Sequence, residues 1–448
     1  MAAGANRKKG ESMSGPPSRS IDMTKLAHAH RQIATPGRAL SRRRFLAGTG
    51  AAAVAASGAV GLGFAPAEAA GLALPSELAE GTRADAVLDA LPGKKPLIKL
   101  SYRPPNYETP IEYFRTAITP NEAFFVRYHM SNIPEVDAAS WKVAVGGDAA
   151  NAQTELTFDD LTKMPAVEVV AVNQCSGNRR GLFQPHVPGV EWGYGAMGCA
   201  LWKGVRLKDV LDKVGVKKEA IEIVFDGADG PVVAAMPDFI KSIPVWKAME
   251  DSTLIAYEMN GQPLPHFNGF PARIIVPGWT GTYWVKHVTS IKAVTTRETG
   301  FWMSTAYRIP VGKFPLVAQF ASQETAVNVP ITEMVVNSLI TSHVQGGSVK
   351  SGFPIRISGV AWDAGYGITT VDLSIDGGRT WVPAKLGKDL GRFAFRTFSY
   401  LLGPRDRGRL TVMARAANKI GQTQATELIF NPAGYHHNVI QRLTLNVL

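Results

Sequence analysis

A cysteine followed within five residues by two arginines is the first place where this chain's residue types could do chemistry. In Asn173-Gln174-Cys175-Ser176-Gly177-Asn178-Arg179-Arg180-Gly181 the thiol closes an apolar run and precedes a Gly/Asn turn. Positive neighbours favour the thiolate, the form that a nucleophile or a soft-metal ligand requires. The same pattern suits a buried structural cysteine beside two surface arginines, and the local pattern leaves both open. In Phe124-Phe125-Val126-Arg127-Tyr128-His129 the period of two puts Arg127 and His129 on one face of a strand. Such a pair suits a tetrahedral oxyanion or a phosphate, and an edge strand with two solvated polar residues would read the same way. A third stretch runs from Tyr257-Glu258-Met259-Asn260-Gly261-Gln262-Pro263 through Asn268-Gly269-Phe270-Pro271-Ala272-Arg273 to Trp284-Val285-Lys286. Its Gly/Pro-rich backbone with Arg273 and Lys286 nearby could cradle an anion, or be an ordinary surface loop.

These groups need elements to position them. Residues 141–145 and 167–172 read as strands, 207–214 as a helix ended by Gly215, and 221–225 as the strand after it. Strands and helices mix without a regular βαβ rhythm, so the fold class expected is α+β. Residues 71–120 hold seven prolines and read as an irregular arm over a domain surface. After about residue 320 the runs 355–360, 369–374, 409–415 and 423–430 alternate with turns such as Asp376-Gly377-Gly378. Short strands at that spacing suggest an immunoglobulin-sized β-sandwich of roughly 110–130 residues.

Taken together, the three stretches resemble the sulfite oxidase family of molybdopterin enzymes. The family's F-V-R-x-H, C-x-G-N-R-R, A-Y-E-M-N-G-x-P-L-P, G-F-P-x-R and V-P-G-x-x-G patterns all occur here, in order, between about residues 95 and 310. Ser374 to Trp381 matches its S-x-D-G-G-x-T-W signature, and Arg415-Ala416-Ala417-Asn418 its R-A-x-D/N pattern. The resemblance implies a molybdopterin-binding domain followed by an immunoglobulin-like β-sandwich of the dimerisation type. It also implies Mo-molybdopterin as cofactor and sulfite as substrate. Cys175 would bind molybdenum beside the pterin dithiolene, and Arg127 and Arg180 would hold the sulfite dianion. Tyr307 would hydrogen-bond near the metal's oxo ligand. His129, Asp229, Asn268, Arg273, Trp284, Val285 and Lys286 would bind the pterin and its phosphate. Many animal members have histidine at Asn268, and an active-site lysine of theirs has no counterpart in residues 182–188. Cys199 is expected to pack in the core.

The net charge of +11 is concentrated in a leader. Residues 1–45 carry ten basic residues, whereas residues 71–448 carry 38 basic and 34 acidic ones, which argues against nucleic acid as a partner. Ser41-Arg42-Arg43-Arg44-Phe45-Leu46 is a twin-arginine pattern. A Gly/Ala-rich apolar run follows, then Ala67-Glu68-Ala69 as a cleavage site. Residues 1–69 are thus expected to be a cleaved export signal rather than a stable membrane anchor, and the mature protein to be periplasmic. That route carries folded proteins, as a cytoplasmically inserted cofactor requires. The expected division continues with an arm at 70–95, a catalytic domain at 96–318 and the sandwich at 319–448. Two cysteines could form a disulfide, for which a large domain has little need. No C-x-x-C-H, four-cysteine cluster or dinucleotide fingerprint occurs. The expected activity is therefore sulfite dehydrogenase passing single electrons to a separate c-type cytochrome, as a homodimer or a heterodimer with a cytochrome subunit. A methionine-sulfoxide reductase of similar fold would lack the sandwich, and the Arg179-Arg180 pair favours sulfite over the thiosulfate-oxidising sulfur dehydrogenases. A binding protein that has lost catalysis would have no need of a metal thiolate.

Overall fold

Strand Ala166–Gln174 delivers the cysteine, and its burial shows how. Its first residues alternate between solvent and protein, and its last five are all buried. The alternation ends at Val170, beyond which the strand is covered on both faces and even Asn173 and Gln174 are enclosed. It pairs with Met197–Arg206, which pairs in turn with Leu254–Met259; that strand also takes up Gln262–Pro263 and Arg273–Ile275. The cysteine loop, the first glycine-rich turn and Arg273 thus share one sheet. A second sheet runs Lys241–Pro244, Glu222–Gly227, Val288–Val294, Lys142–Gly146 and Thr154–Thr157. Only Val288–Val294 and Lys142–Gly146 run parallel within it. Such mixed pairing, with few and short helices, is the α+β class expected, weighted towards β. Helix Phe158–Lys163 starts from a Thr157/Asp160 capping box. Helix Leu207–Asp212 stops short of the expected residue 214, and Gly215 closes the turn at φ +65°.

The computed structural model describes residues 87–310, 323–324 and 327–448. The twin-arginine leader, most of the 70–95 arm and the expected 318/319 boundary lie outside the described residues. Where the 71–120 arm is described, it is more regular than expected. Val87–Asp89, Leu97–Ser101, Asn106–Glu108 and Val126–Arg127 form a four-stranded sheet. Strands of two to five residues are too short to show a period, and prolines at 96, 104 and 105 fall beside or between them.

The C-terminal part is the sandwich. Asn337–Ile340, Ile355–Trp362, Arg396–Leu402 and Lys385–Leu386 form one sheet; Ser348–Val349, Arg442–Val447, Gly408–Asn418, Ile368–Ser374 and Val382–Pro383 form the other. Ile357, Val371, Phe398, Val412 and Leu443 fill the core between them. The S-x-D-G-G-x-T-W signature is a turn: Asp376 accepts from the Arg379 and Thr380 N–H groups at 3.0 Å and from Ser374 Oγ at 2.7 Å. Residues 423–430, expected as a strand, are not one. Gln424 Oε1 accepts from the Ala416 N–H at 2.9 Å, so a side chain stands where a ladder partner would. Arg442–Val447 pairs with the first part of that strand, Gly408 to Met413, and stops short of Ala416.

The two parts are sewn together beside the cysteine. The Val172 N–H donates to the Phe393 carbonyl at 2.9 Å, and Trp362 Nε1 to Gln174 Oε1 at 2.6 Å. Arg179 is fully buried at φ +69° and donates to the carbonyls of Ser338 at 2.8 Å and Val439 at 3.4 Å. It stacks on Tyr194 and Trp362. Arg179→Met should therefore strand two sandwich carbonyls at a cost of about 1–3 kcal/mol each. It should lower the melting temperature measurably; an unchanged melting curve would contradict that role.

Candidate active site

Cys175, Arg127, His129, Asn268, Arg273, Trp284, Lys286 and Tyr307 all line one cleft, with Asn173, Ser176, Thr282 and aromatic walls at Phe125, Phe239 and Phe267. No carboxylate is among its lining residues. Cys175 is buried at the foot of its strand, and neither it nor the fully buried Cys199 is in a disulfide. Glycine is required twice at this point. A Cβ on Gly281 would lie 2.3 Å from Asn173 Oδ1, and one on Gly177 would lie 2.4 Å from the Arg180 guanidinium. These two turns let a second chain segment and an arginine approach the cysteine loop closely.

Arg127 ends strand Val126–Arg127, and His129 lies beyond it, so the shared strand face expected for the pair is not what aims them. The chain bends after Arg127, and both side chains still enter the cleft. Arg127 Nη1 donates to Asn106 Oδ1 at 3.3 Å and to the Tyr128 carbonyl. The His129 ring is stacked on Phe239 at 3.7 Å and edge-on to Trp302 at 4.8 Å. Its Nε2 meets the Tyr307 hydroxyl at 2.5 Å. Burial, then the Arg127, Lys286 and Lys241 cations, hold this imidazole well below the usual histidine range, so it is neutral at pH 7. Burial raises the Tyr307 phenol, while the Arg127 and Arg180 charges oppose that rise. Tyr307 is held at φ +59°, a conformation costing a tyrosine on the order of 1–3 kcal/mol.

The anion cradle is built from Arg273 and Lys286. Arg273 donates to the carbonyls of Asn268 at 2.8 Å and Trp284 at 2.7 Å, and its Nε has no partner. Burial pushes it down to about 9. Lys286 donates to the Arg127 carbonyl at 3.0 Å and lies 4.2 Å over the Tyr128 ring. Desolvation takes it to about 7, against the pull of Asp229. Asp229 is buried outside the cleft wall, and burial raises its carboxyl. Val285 also stands behind the wall, its carbonyl accepting from the Ile274 N–H at 2.8 Å. Both Asn268 amide atoms are used within the protein, accepting from Lys94 and donating to the Phe125 carbonyl at 3.0 Å.

Arg180 is buried beside the cleft but does not line it. Its guanidinium donates to the carbonyls of Ala433 at 3.1 Å and Val190 at 3.2 Å, and it reaches the site through its charge on Tyr307. With Arg179 turned into the sandwich, the cations that line the cleft with Cys175 are Arg127, Arg273 and Lys286, and of the adjacent pair only Arg180 stays beside the cysteine loop. Sequence reading missed Lys94, and it missed a sandwich segment that returns to the site. Tyr435 stacks on Tyr307 at 5.5 Å, and the Ala433 carbonyl holds Arg180. No local motif marks either, because both act across more than a hundred residues of chain.

The residues present fit a molybdopterin. Arg273 Nε, Asn173 Oδ1, Ser176 Oγ, Thr280 Oγ1 and Thr282 Oγ1 are buried with no partner, and all but Thr280 belong to residues lining the cleft. A polar, hydrogen-bonding ligand with a phosphate would satisfy them. Among the described residues no three His, Cys, Asp or Glu side chains converge on a metal position. A metal at Cys175 would therefore be held mainly by ligands that the cofactor brings.

The comparisons agree. The family model described as "Oxidoreductase molybdopterin binding domain" matches residues 129–302, and that described as "Mo-co oxidoreductase dimerisation domain" matches residues 328–447. Mitochondrial sulfite oxidase of Rattus norvegicus is 36% identical over 304 residues, which are 66% of this chain and 54% of that protein. The chain thus spans about half the length of the mammalian relatives it matches. Sulfite oxidase of Arabidopsis thaliana is 32% identical over 327 residues, 70% of this chain and 81% of the plant protein. The crystal structure of the sulfane dehydrogenase SoxCD from Paracoccus pantotrophus shares the fold, with a TM-score of 0.67, 24% identity, and 93% of this chain and 100% of that one covered. With its two domains in order, its one cleft thiol and its buried cations, the chain belongs to the sulfite oxidase family and takes Mo-molybdopterin as its cofactor.

Proposed function

We propose that the protein oxidises sulfite to sulfate. The observation that carries this is the cleft itself: one thiol, three cations and no carboxylate among the lining residues. Sulfite is a small dianion with a lone pair on sulfur, so its site needs fixed positive charge and no competing negative charge. When bound, the cofactor supplies the two-electron oxygen-atom chemistry. Cys175 would hold the metal, and Arg273 and Lys286, with the backbone around Trp284 and Asn268, would hold the pterin and its phosphate. Arg127 binds the dianion at the cleft, while Arg180 adds its charge from behind Tyr307. Neutral His129 is poised to accept a proton from the Tyr307 hydroxyl, so the pair can move protons as electrons leave. The aromatic wall of Phe125, Phe239 and Phe267 limits water.

Electrons are proposed to leave singly to a c-type cytochrome in the periplasm, with the mature chain as a homodimer or joined to a cytochrome subunit. In support, the sequence holds no C-x-x-C-H and only two cysteines, so it attaches no c-type haem and holds no four-cysteine cluster to relay the electrons. Purified protein with sulfite should reduce cytochrome c, and added salt should slow the reaction, because such redox encounters are small and charge-guided. Rapid oxygen consumption with peroxide and no cytochrome reduction would instead mean an oxidase. Export is proposed to use the twin-arginine leader, so replacing Arg42 and Arg43 by lysine should leave an uncleaved precursor in the cytoplasm. Normal processing of that double variant would refute the route.

A further inference from the structure

A lysine that the proposed reaction does not use stands behind the His129–Tyr307 pair. Lys241 begins the strand Lys241–Pro244, opposite Phe225, and is fully buried. Its Nζ donates to the Trp302 carbonyl at 2.5 Å. It lies 4.8 Å from the centre of the Tyr283 ring and 5.2 Å from that of Tyr307. Both distances are in the range where an ammonium is attracted to an aromatic face. Among the described residues no carboxylate forms an ion pair with it. The groups around it are named readily. Tyr283, on the turn Gly281–Tyr283, donates its hydroxyl to the Ile331 carbonyl at 2.5 Å. Tyr307 and Arg308 follow the helix Phe301–Ser304, and the charge that acts on Lys241 is that of Arg308. On its own sheet the Glu222 carboxylate is taken by Ser242 Oγ at 2.8 Å and the Glu298 N–H at 3.0 Å. His129 follows the strand Val126–Arg127, and Arg127 and Lys286 are the other cations that act on it.

An unpaired ammonium in such a place is costly to bury. Burial and Arg308 push it down to about 7, so at neutral pH it is divided between its charged and neutral forms. Two features lie beside it. Tyr307, whose ring faces Lys241, holds a left-handed backbone conformation, and the Lys241 charge is one of three that oppose protonation of His129.

We propose that Lys241 is a positioning residue for the proton-handling pair: its ammonium, seated against the Tyr307 ring, keeps the hydroxyl at His129 and, by its charge, keeps the imidazole a proton acceptor. The proposal rests on the sulfite reading only for the reaction in which the acceptor is used. Sulfite itself is bound elsewhere in the cleft, so kcat should respond rather than KM.

The test uses the molybdenum-loaded full chain with Lys241→Met, Lys241→Gln and Lys241→Arg. Lys241→Gln keeps a donor for the Trp302 carbonyl without the charge, and Lys241→Arg keeps the charge. Five quantities are read: molybdenum content, kcat, KM for sulfite, the pH profile, and the titration of His129 by NMR of 13C-labelled histidine, assigned with His129→Asn. Lys241→Met and Lys241→Gln should retain molybdenum and a KM within about twofold, while kcat falls about tenfold, a fraction of what a full acid–base group contributes. Removing a positive charge raises the imidazole pKa, so the acid limb of the profile and the His129 titration should both move to higher pH. Lys241→Arg should leave the His129 titration as in the wild type. Wild-type kcat and titration in Lys241→Gln would overturn the proposal, showing a mere peg for the Trp302 carbonyl. A shifted titration in Lys241→Arg would overturn it as well. If the wild type leaves sulfite untouched, the sulfite reading fails, while the His129 titration still decides the role of Lys241.

Discussion

Cys175→Ser is expected to abolish turnover while leaving the fold and much of the bound pterin in place. The thiol is the one cysteine in the cleft, and among the described residues no other set of side chains gathers on a metal there. A serine hydroxyl is a poor ligand for a soft metal at neutral pH, so the change removes the link between protein and metal without removing the cradle. Arg273, Lys286 and the partnerless Asn173 and Thr282 atoms remain to hold the organic part. Cys199→Ser is the control. That thiol is fully buried, its Sγ accepts from the Phe395 N–H at 3.4 Å, and burial pushes it up to about 12, so it stays protonated and inert. Activity should survive there at a stability cost of about 1–3 kcal/mol for a buried hydroxyl that is imperfectly satisfied. Normal sulfite turnover in Cys175→Ser would remove the metal role from this residue.

Arg127→Gln should raise the apparent KM for sulfite by roughly ten- to hundredfold with molybdenum content unchanged. One charge-assisted contact to a dianion is worth on the order of 1.5–3 kcal/mol, which converts to that range. Arg180→Gln should behave differently. Its guanidinium is tied to Ala433 and Val190, so the variant should lose stability through two stranded carbonyls and raise KM less. An equal effect of both on KM, with no change in melting, would show that Arg180 turns into the cleft when sulfite binds. An unchanged KM in both would place sulfite elsewhere.

Much of the site was legible because its parts are short runs of backbone with fixed shapes. Gly177 and Gly281 stand at close approaches, and Cys175 and Lys286 lie within a few residues of them in the sequence. Arg180 was legible as a residue but not as a geometry. Nothing in the run Arg179-Arg180 tells which guanidinium faces the sandwich and which faces Tyr307; partners some 150 to 260 residues away decide it. Lys94 and Lys241 were invisible for a related reason. A lysine beside apolar residues usually reaches solvent, and only the packed fold shows these two enclosed. In the sandwich, the apolar run at 423–430 read as a strand because periodicity cannot see Gln424 filling the ladder position. The true edge partner, Arg442–Val447, lies at the end of the chain. The second domain was recognised by its turn signature, whereas its return to the catalytic cleft through Ala433 and Tyr435 was not.

The central claim is that this cleft turns sulfite into sulfate. The most direct measurement incubates purified, molybdenum-loaded protein with sulfite and oxidised cytochrome c, and counts sulfate by ion chromatography beside the cytochrome reduced. One sulfate and two reduced cytochromes should appear for each sulfite consumed, and neither product from Cys175→Ser. Molybdenum-loaded protein that leaves sulfite intact while reducing methionine sulfoxide, or while oxidising a sulfane sulfur instead, would contradict it.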